Sequence, residues 1–126
     1  LVYIQLNWNN KVPDFMNKPL SSGKCEPCNG NTPKLDYQEI SKFLSELNEW
    51  SVNDNQEMIF KKFKFSNFKK AISFANEVGE VAEKEGHHPD ISIGWGYCLV
   101  MVHTHAIEGL SVNDFILASK IDLIKS

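Results

Sequence analysis

Nowhere does the chain carry an apolar run approaching the roughly 18 residues of a membrane-spanning helix, so no membrane partner is expected. The opening stretch Leu1–Leu6 is too short, and lacks the basic flank, for a secretory signal. With Leu rather than Met at position 1, a leader trimmed from the N-terminus stays open. Clustered basic charge is missing too. Thirteen Lys and Arg are scattered among 16 Asp and Glu, for a net charge of −3, which argues against a nucleic-acid partner held by phosphate contacts. Three cysteines, an odd count, give no disulfide framework and favour a reducing compartment, with the cytoplasm expected. No internal repeat is visible.

What is present suits one globular domain. A chain of 126 residues can bury a real core, and a hydrophobic fraction of 42% beside 23% charged residues is ordinary. Asn, Pro and Gly crowd residues 1–34, which predicts an irregular N-terminal arm there and a folded domain over 35–126. Leu1–Leu6 could add an edge strand to that domain. Asp36-x-x-Glu39 forms a capping-box pattern, and Ile40, Phe43, Leu44 and Leu47 recur at helical spacing, so a first helix is expected over 36–47. Trp50–Val52 and Met58–Phe65 read as strands around a polar turn, with Phe63 and Phe65 alternating against Lys62 and Lys64.

A second helix, capped by Ser66 or Asn67 and stopped by Gly86, carries a stripe of Phe68, Ala71, Ile72, Ala75, Val78 and Ala82, leaving Phe74 and Val81 off it. Asp90–Trp95 and Cys98–His105 read as two more strands. A third helix opens at Ser111-x-x-Asp114 and turns Phe115, Ala118 and Ile121 inward. The order α-β-β-α-β-β-α predicts an α+β fold: a four-stranded antiparallel sheet with three helices packed on one face.

All four histidines fall in two short segments, His87-His88-Pro89 and His103-Thr104-His105. Both lie at element ends, where side chains converge on clefts. His103 and His105 are expected to share a strand face because the side-chain period is two. A histidine working near neutral pH is the usual general acid or base. Glu83, four residues before His87 on the last turn of the second helix, is spaced to reach an imidazole and fix its tautomer. Against these stand blander readings: a polar turn at His87–Pro89, strand filler at His103, one more solvated helix charge at Glu83.

Other groups are weaker. Asp114 is explained as a helix cap. Trp50 and Trp95 read as core. Cys25-Glu-Pro-Cys28 is half of a structural zinc site without a second pair, and it reads as two thiols on a solvated arm. Histidines could hold zinc or iron. The adjacent rings of His87 and His88 tend to diverge, however, and no carboxylate is obviously placed to complete a facial triad.

The run Glu83-Lys-Glu-Gly-His87-His88-Pro89-Asp90, then Thr104-His105, then Gly109-Leu110-Ser111-x-x-Asp114 with Leu117-Ala118, resembles the pterin-4a-carbinolamine dehydratase family. The likeness covers residue 33 to the C-terminus. It departs from the family pattern at Trp95-Gly96-Tyr97-Cys98 and at His103, where a small or hydroxyl residue is common.

The resemblance implies a lyase, a dehydratase that eliminates water from 4a-hydroxytetrahydropterin to give quinonoid dihydropterin, serving tetrahydrobiopterin recycling. It implies His87, His88 and His105 as catalytic histidines with Glu83 beside them, and Pro89, Thr104, Ala106 and Ile107 with those histidines as the pterin-binding wall. His87 and His105 are expected to be the acid and base, in either order, with His88 for binding and orientation. No metal and no cofactor are needed, and a homodimer or homotetramer is expected. Two readings compete with it: a non-catalytic binding protein, as animal relatives also serve as dimerisation cofactors of a homeodomain transcription factor, and a metal-dependent hydrolase or oxygenase.

Overall fold

A computed structural model describes residues 19–124; the suggested strand at Leu1–Leu6 lies outside them. Helix α1 spans Tyr37–Ser45, β1 Ser51–Val52, β2 Ile59–Lys64, α2 Phe68–Glu85, β3 Asp90–Gly94, β4 Tyr97–Val102 and α3 Val112–Ile121. The strands form one antiparallel sheet in the order β1-β2-β4-β3. The expected α+β architecture is what the chain adopts, with helix and strand ends shorter than periodicity suggested. Among the described residues no helix is long and apolar enough to cross a membrane.

Local chemistry explains the elements. Asp36 Oδ1 accepts from the Glu39 N–H at 2.8 Å while Glu39 Oε1 accepts from the Asp36 N–H at 2.9 Å, so two N–H groups at the start of α1 find partners. Asn67, not Ser66, caps α2 through the Lys70 N–H. Gly86 ends that helix at φ 68°, a left-handed conformation costly for residues with a Cβ. Strand β4 alternates strictly, with Cys98, Val100 and Val102 buried towards the helices. Its register pairs these with Phe63, Lys61 and Ile59 of β2 and, for Cys98 and Val100, with Ile93 and Ile91 of β3.

The helical faces depart from the expected stripe at two positions. Phe74 is a core residue, 2% exposed, with its ring 4.5 Å from Phe63 and 5.1 Å from Phe65. Phe68 is exposed because it opens the helix, before the first turn reaches the sheet. Trp50 is buried and donates its Nε1–H to Asp122, whereas Trp95 stands exposed on the β3–β4 turn, against the core reading.

The described segment that leads into α1, residues 19–36, is irregular apart from a single 3-10 turn at Leu20–Ser22, which lies against α3. Asn113 binds it by side chain and backbone: Oδ1 accepts from the Glu26 N–H at 3.0 Å, Nδ2 donates to the Glu26 carbonyl at 2.9 Å, and its carbonyl accepts from Cys25 Sγ at 3.5 Å. Cys25 is therefore buried rather than solvated.

Candidate active site

At the junction of α2, β3 and the segment after β4 lies a cleft of about 330 Å³. His87, His88, Pro89, Thr104, His105 and Ala106 line it, together with Cys28, Gly86, Asp90 and His103. Glu83 reaches its rim only through His88, and Ile107 is not among the lining residues.

The left-handed turn at Gly86 sends His87 inward. Its backbone N–H still bonds the Ala82 carbonyl, and its ring is buried against α3. His87 Nε2 lies 2.6 Å from Asp114 Oδ1. Asp114 is fully buried, and its other oxygen accepts from the Thr104 hydroxyl at 2.8 Å and from the Ser111 N–H at 2.9 Å. A carboxylate only accepts, so Nε2 carries a hydrogen, and whenever the ring holds a single hydrogen Nδ1 is the nitrogen with the lone pair. Cys28 Sγ stands 3.7 Å from that Nδ1 and accepts from Asn113 Nδ2 at 2.9 Å.

The carboxylate assignments differ from those expected. Glu83 reaches His88, not His87, with Oε2 2.5 Å from Nε2 on the exposed surface. Proline at 89 holds residue 88 extended, which carries its ring away from that of His87. Asp114 caps α3 with one oxygen and holds His87 with the other. The Ser-x-x-Asp spacing discloses the first role only.

Strand β4 ends at Val102, earlier than expected, because the partner strands stop there. Thr104 makes one isolated bridge to Gly109, and His105 opens a 3-10 turn over His105–Ile107. His103 and His105 are thus not strand neighbours, yet their ring centroids are 4.0 Å apart. A carboxylate does stand beside them: Asp90 Oδ2 is 3.1 Å from His103 Nε2. The expectation that none was placed to complete a two-histidine, one-carboxylate set is corrected at Asp90.

Burial raises the Cys25 thiol from its ordinary 9.0 to about 12, with the nearby Glu85 charge acting in the same direction. It pushes the Cys98 thiol up as well. Burial also opposes ionisation of Glu85. The Lys120 hydrogen bond, the Cys25 N–H and the Lys120 charge nevertheless hold that carboxyl below its ordinary range.

Fold and cleft together define a small α+β protein with a histidine-lined cleft at one end of its sheet. The family model described as Pterin 4 alpha carbinolamine dehydratase matches residues 33–124, and the chain belongs to that family. A Rickettsia bellii protein, provisionally named a pterin-4-alpha-carbinolamine dehydratase, is 52% identical over 108 residues, spanning 85% of this chain and 95% of its own length. One from Halorhodospira halophila, similarly named, is 49% identical over 105 residues, covering 83% and 96%.

Among solved structures, a Brucella melitensis protein described as a transcriptional coactivator/pterin dehydratase matches with a TM-score of 0.67 at 30% identity, over 71% of this chain and 96% of that one. A pterin dehydratase-like RuBisCO assembly factor of the alpha-carboxysome, 21% identical with a TM-score of 0.51 over 60% of this chain and 87% of its own, shares the fold.

Proposed function

We propose that this chain is a 4a-hydroxytetrahydropterin dehydratase, a hydro-lyase that works by histidine acid/base catalysis. Family membership and the names of its relatives support the reaction class. The substrate carries a hydroxyl on ring carbon 4a and a hydrogen on the adjacent N5. Elimination protonates the departing hydroxyl to water and removes the N5 hydrogen, and the C4a–N5 bond becomes double in the quinonoid product. Both events are proton transfers, so neither metal nor redox cofactor is required. Each positioned transfer contributes typically about 10²–10⁴-fold.

His87 and His105 are the proton-transferring pair in this reading, and His88, held by Glu83, binds and orients the ring. The observation that carries it is the buried His87–Asp114 contact at 2.6 Å, which fixes one tautomer of a ring lining the cleft. Pro89, Thr104 and Ala106 complete the wall, and Ile107 supports the turn that carries His105. The physiological setting is tetrahydrobiopterin recycling in the cytoplasm, a reducing location that suits three free thiols. Homodimers or homotetramers are the working assembly. The test is a stopped assay of 4a-hydroxytetrahydropterin dehydration with and without chelator. Turnover that survives EDTA supports the mechanism; turnover lost with stoichiometric metal and restored by its return would sink it.

A further inference from the structure

We propose that Asp90, His103 and His105 form a binding site for a zinc-class divalent transition metal at the mouth of the cleft, and that the bound ion inhibits dehydration by occupying His105. The inhibitory half rests on the function proposed above; the binding half does not.

The topology builds the ligand set. Asp90 opens β3 and pairs with Met101 of β4, so its side chain is on the sheet face that Met101 shares. His103 lies two residues beyond Met101 and comes out on the same side, diagonal to Asp90 and within reach of it. His105 follows two residues later, and the 3-10 turn folds its ring back onto that of His103. One donor atom from each residue falls within 4.8 Å of the other two.

Distances favour an ion. Metal–ligand bonds of about 2.0–2.1 Å place tetrahedral donors about 3.4 Å apart. His103 Nε2 and Asp90 Oδ2 are already 3.1 Å apart. His105 and the Asp90 carboxylate are both exposed, so they can rotate inward by the remaining distance. Asp90 Oδ2 and His103 Nε2 now share one hydrogen. An ion binding there takes the place of that hydrogen, and the neutral His103 ring shifts to its other tautomer, with its one hydrogen on Nδ1, so no net proton is released.

Two imidazoles with one carboxylate are borderline ligands that suit zinc, and cobalt as its spectroscopic substitute, over magnesium or calcium. Three protein donors leave a coordination position for water. The dehydration proposed above assigns no proton transfer to Asp90 or His103, and the metal site accounts for their pairing beside His105. Once coordinated, the His105 nitrogen has no lone pair for a proton.

The test titrates the chelator-stripped full chain with Co²⁺, read by visible absorption, and with Zn²⁺, read by calorimetry. One ion per chain is expected. Binding should weaken by about 10-fold or more in His103→Ser and in Asp90→Asn, with circular dichroism unchanged, and should persist in Cys28→Ser. In parallel, stoichiometric Zn²⁺ should inhibit wild-type dehydration and leave His103→Ser active. No binding at micromolar metal, or equal binding in His103→Ser, overturns the site, as does binding lost in Cys28→Ser alone. Binding that leaves wild-type turnover untouched overturns the inhibition. A chain without dehydratase activity overturns the functional reading instead, and the Co²⁺ spectrum still reports the site.

Discussion

His87 Nε2 and Asp114 Oδ1, 27 positions apart in sequence, meet at 2.6 Å where the end of α2 crosses the first turn of α3. The same carboxylate receives the Thr104 hydroxyl and the Ser111 N–H, so one buried side chain ties the helix start, the turn before His105 and the ring of His87 together. Asp114 is a positioning residue in the proposed mechanism. Asp114→Asn keeps the shape, but its amide would present N–H to His87 Nε2 and force the hydrogen onto Nδ1. Turnover should fall by about 10²-fold or more, and the pH–rate profile should change shape. Loss of a mere helix cap would lower the melting temperature and leave that profile alone.

Substituting the histidines separates chemistry from wall. His87→Ala and His105→Ala should each lower kcat by about 10²–10⁴-fold, as expected for loss of a positioned proton transfer. His88→Ala should act more on KM than on kcat. In metal-free buffer, His103→Ser should change turnover little. If His103→Ser proved as damaging as His105→Ala, the assignment of His105 as the proton carrier would be wrong.

Residues with a periodic or capping signature were legible in the sequence. The alternation of Phe63 and Phe65 with lysines, the Asp36–Glu39 box and the Gly86 stop each record a local rule, and together they specify element order. Contacts between distant segments leave no such mark. Asp114 has one oxygen spent on a local cap, which conceals the long-range bond made by the other. Glu83 stands four residues from His87 and five from His88, and only the backbone turn at Gly86 decides between them. The burial of Cys25 and Phe74 is hidden for a related reason: it depends on Asn113 and on Phe63 and Phe65, which no helical wheel or spacing includes.

The three thiols should differ sharply in reactivity. Thiolate is the reactive form, and burial holds Cys25 protonated up to about 12 and raises Cys98. Iodoacetamide at pH 8 should modify Cys28 in the native protein and spare the other two. Because Cys28 Sγ stands 3.7 Å from His87 Nδ1, its adduct should also depress turnover, and a bound pterin should slow the modification. Rapid native labelling of Cys25, read by mass spectrometry, would show that the segment before α1 does not stay docked on α3.

The same burial gives a stability signature at high pH. Below the ordinary thiol value of 9.0, Cys25 is protonated in both folded and unfolded chains, and its contribution is fully present. Between that value and about 12 the unfolded chain gives up a proton that the folded chain keeps, so stability falls as pH rises. Cys25→Ala should flatten this slope in urea titrations from pH 8 to 11. It should also cost roughly 1 kcal/mol at neutral pH for the lost packing and sulfur contact. An unchanged slope would locate the alkaline sensitivity elsewhere, since Lys and Tyr also titrate there.

Assembly is the last expectation, and the core position of Phe74 changes how to test it. Phe74→Glu would bury a charge against Phe63 and Phe65 and unfold the domain, so it reports nothing about subunit contacts. Val81, two turns further along the same side of α2 and only half-buried at the edge of the core, is the better probe. The sheet supplies a second reason to associate. Its register places Phe60, Leu99, Met101 and Tyr97 on the face away from the helices, half-buried and beside Lys62 and Lys64. An apolar sheet face of this kind, with β1 and β3 as the edge strands among the described residues, favours closed symmetric oligomers. Sedimentation at micromolar concentration should show a dimer or tetramer. Val81→Glu should shift it towards smaller species, with circular dichroism unchanged, if α2 forms a contact, and Leu99→Asp should do so if the sheet face does. A chain that sediments as a 14.4 kDa monomer would defeat the expectation.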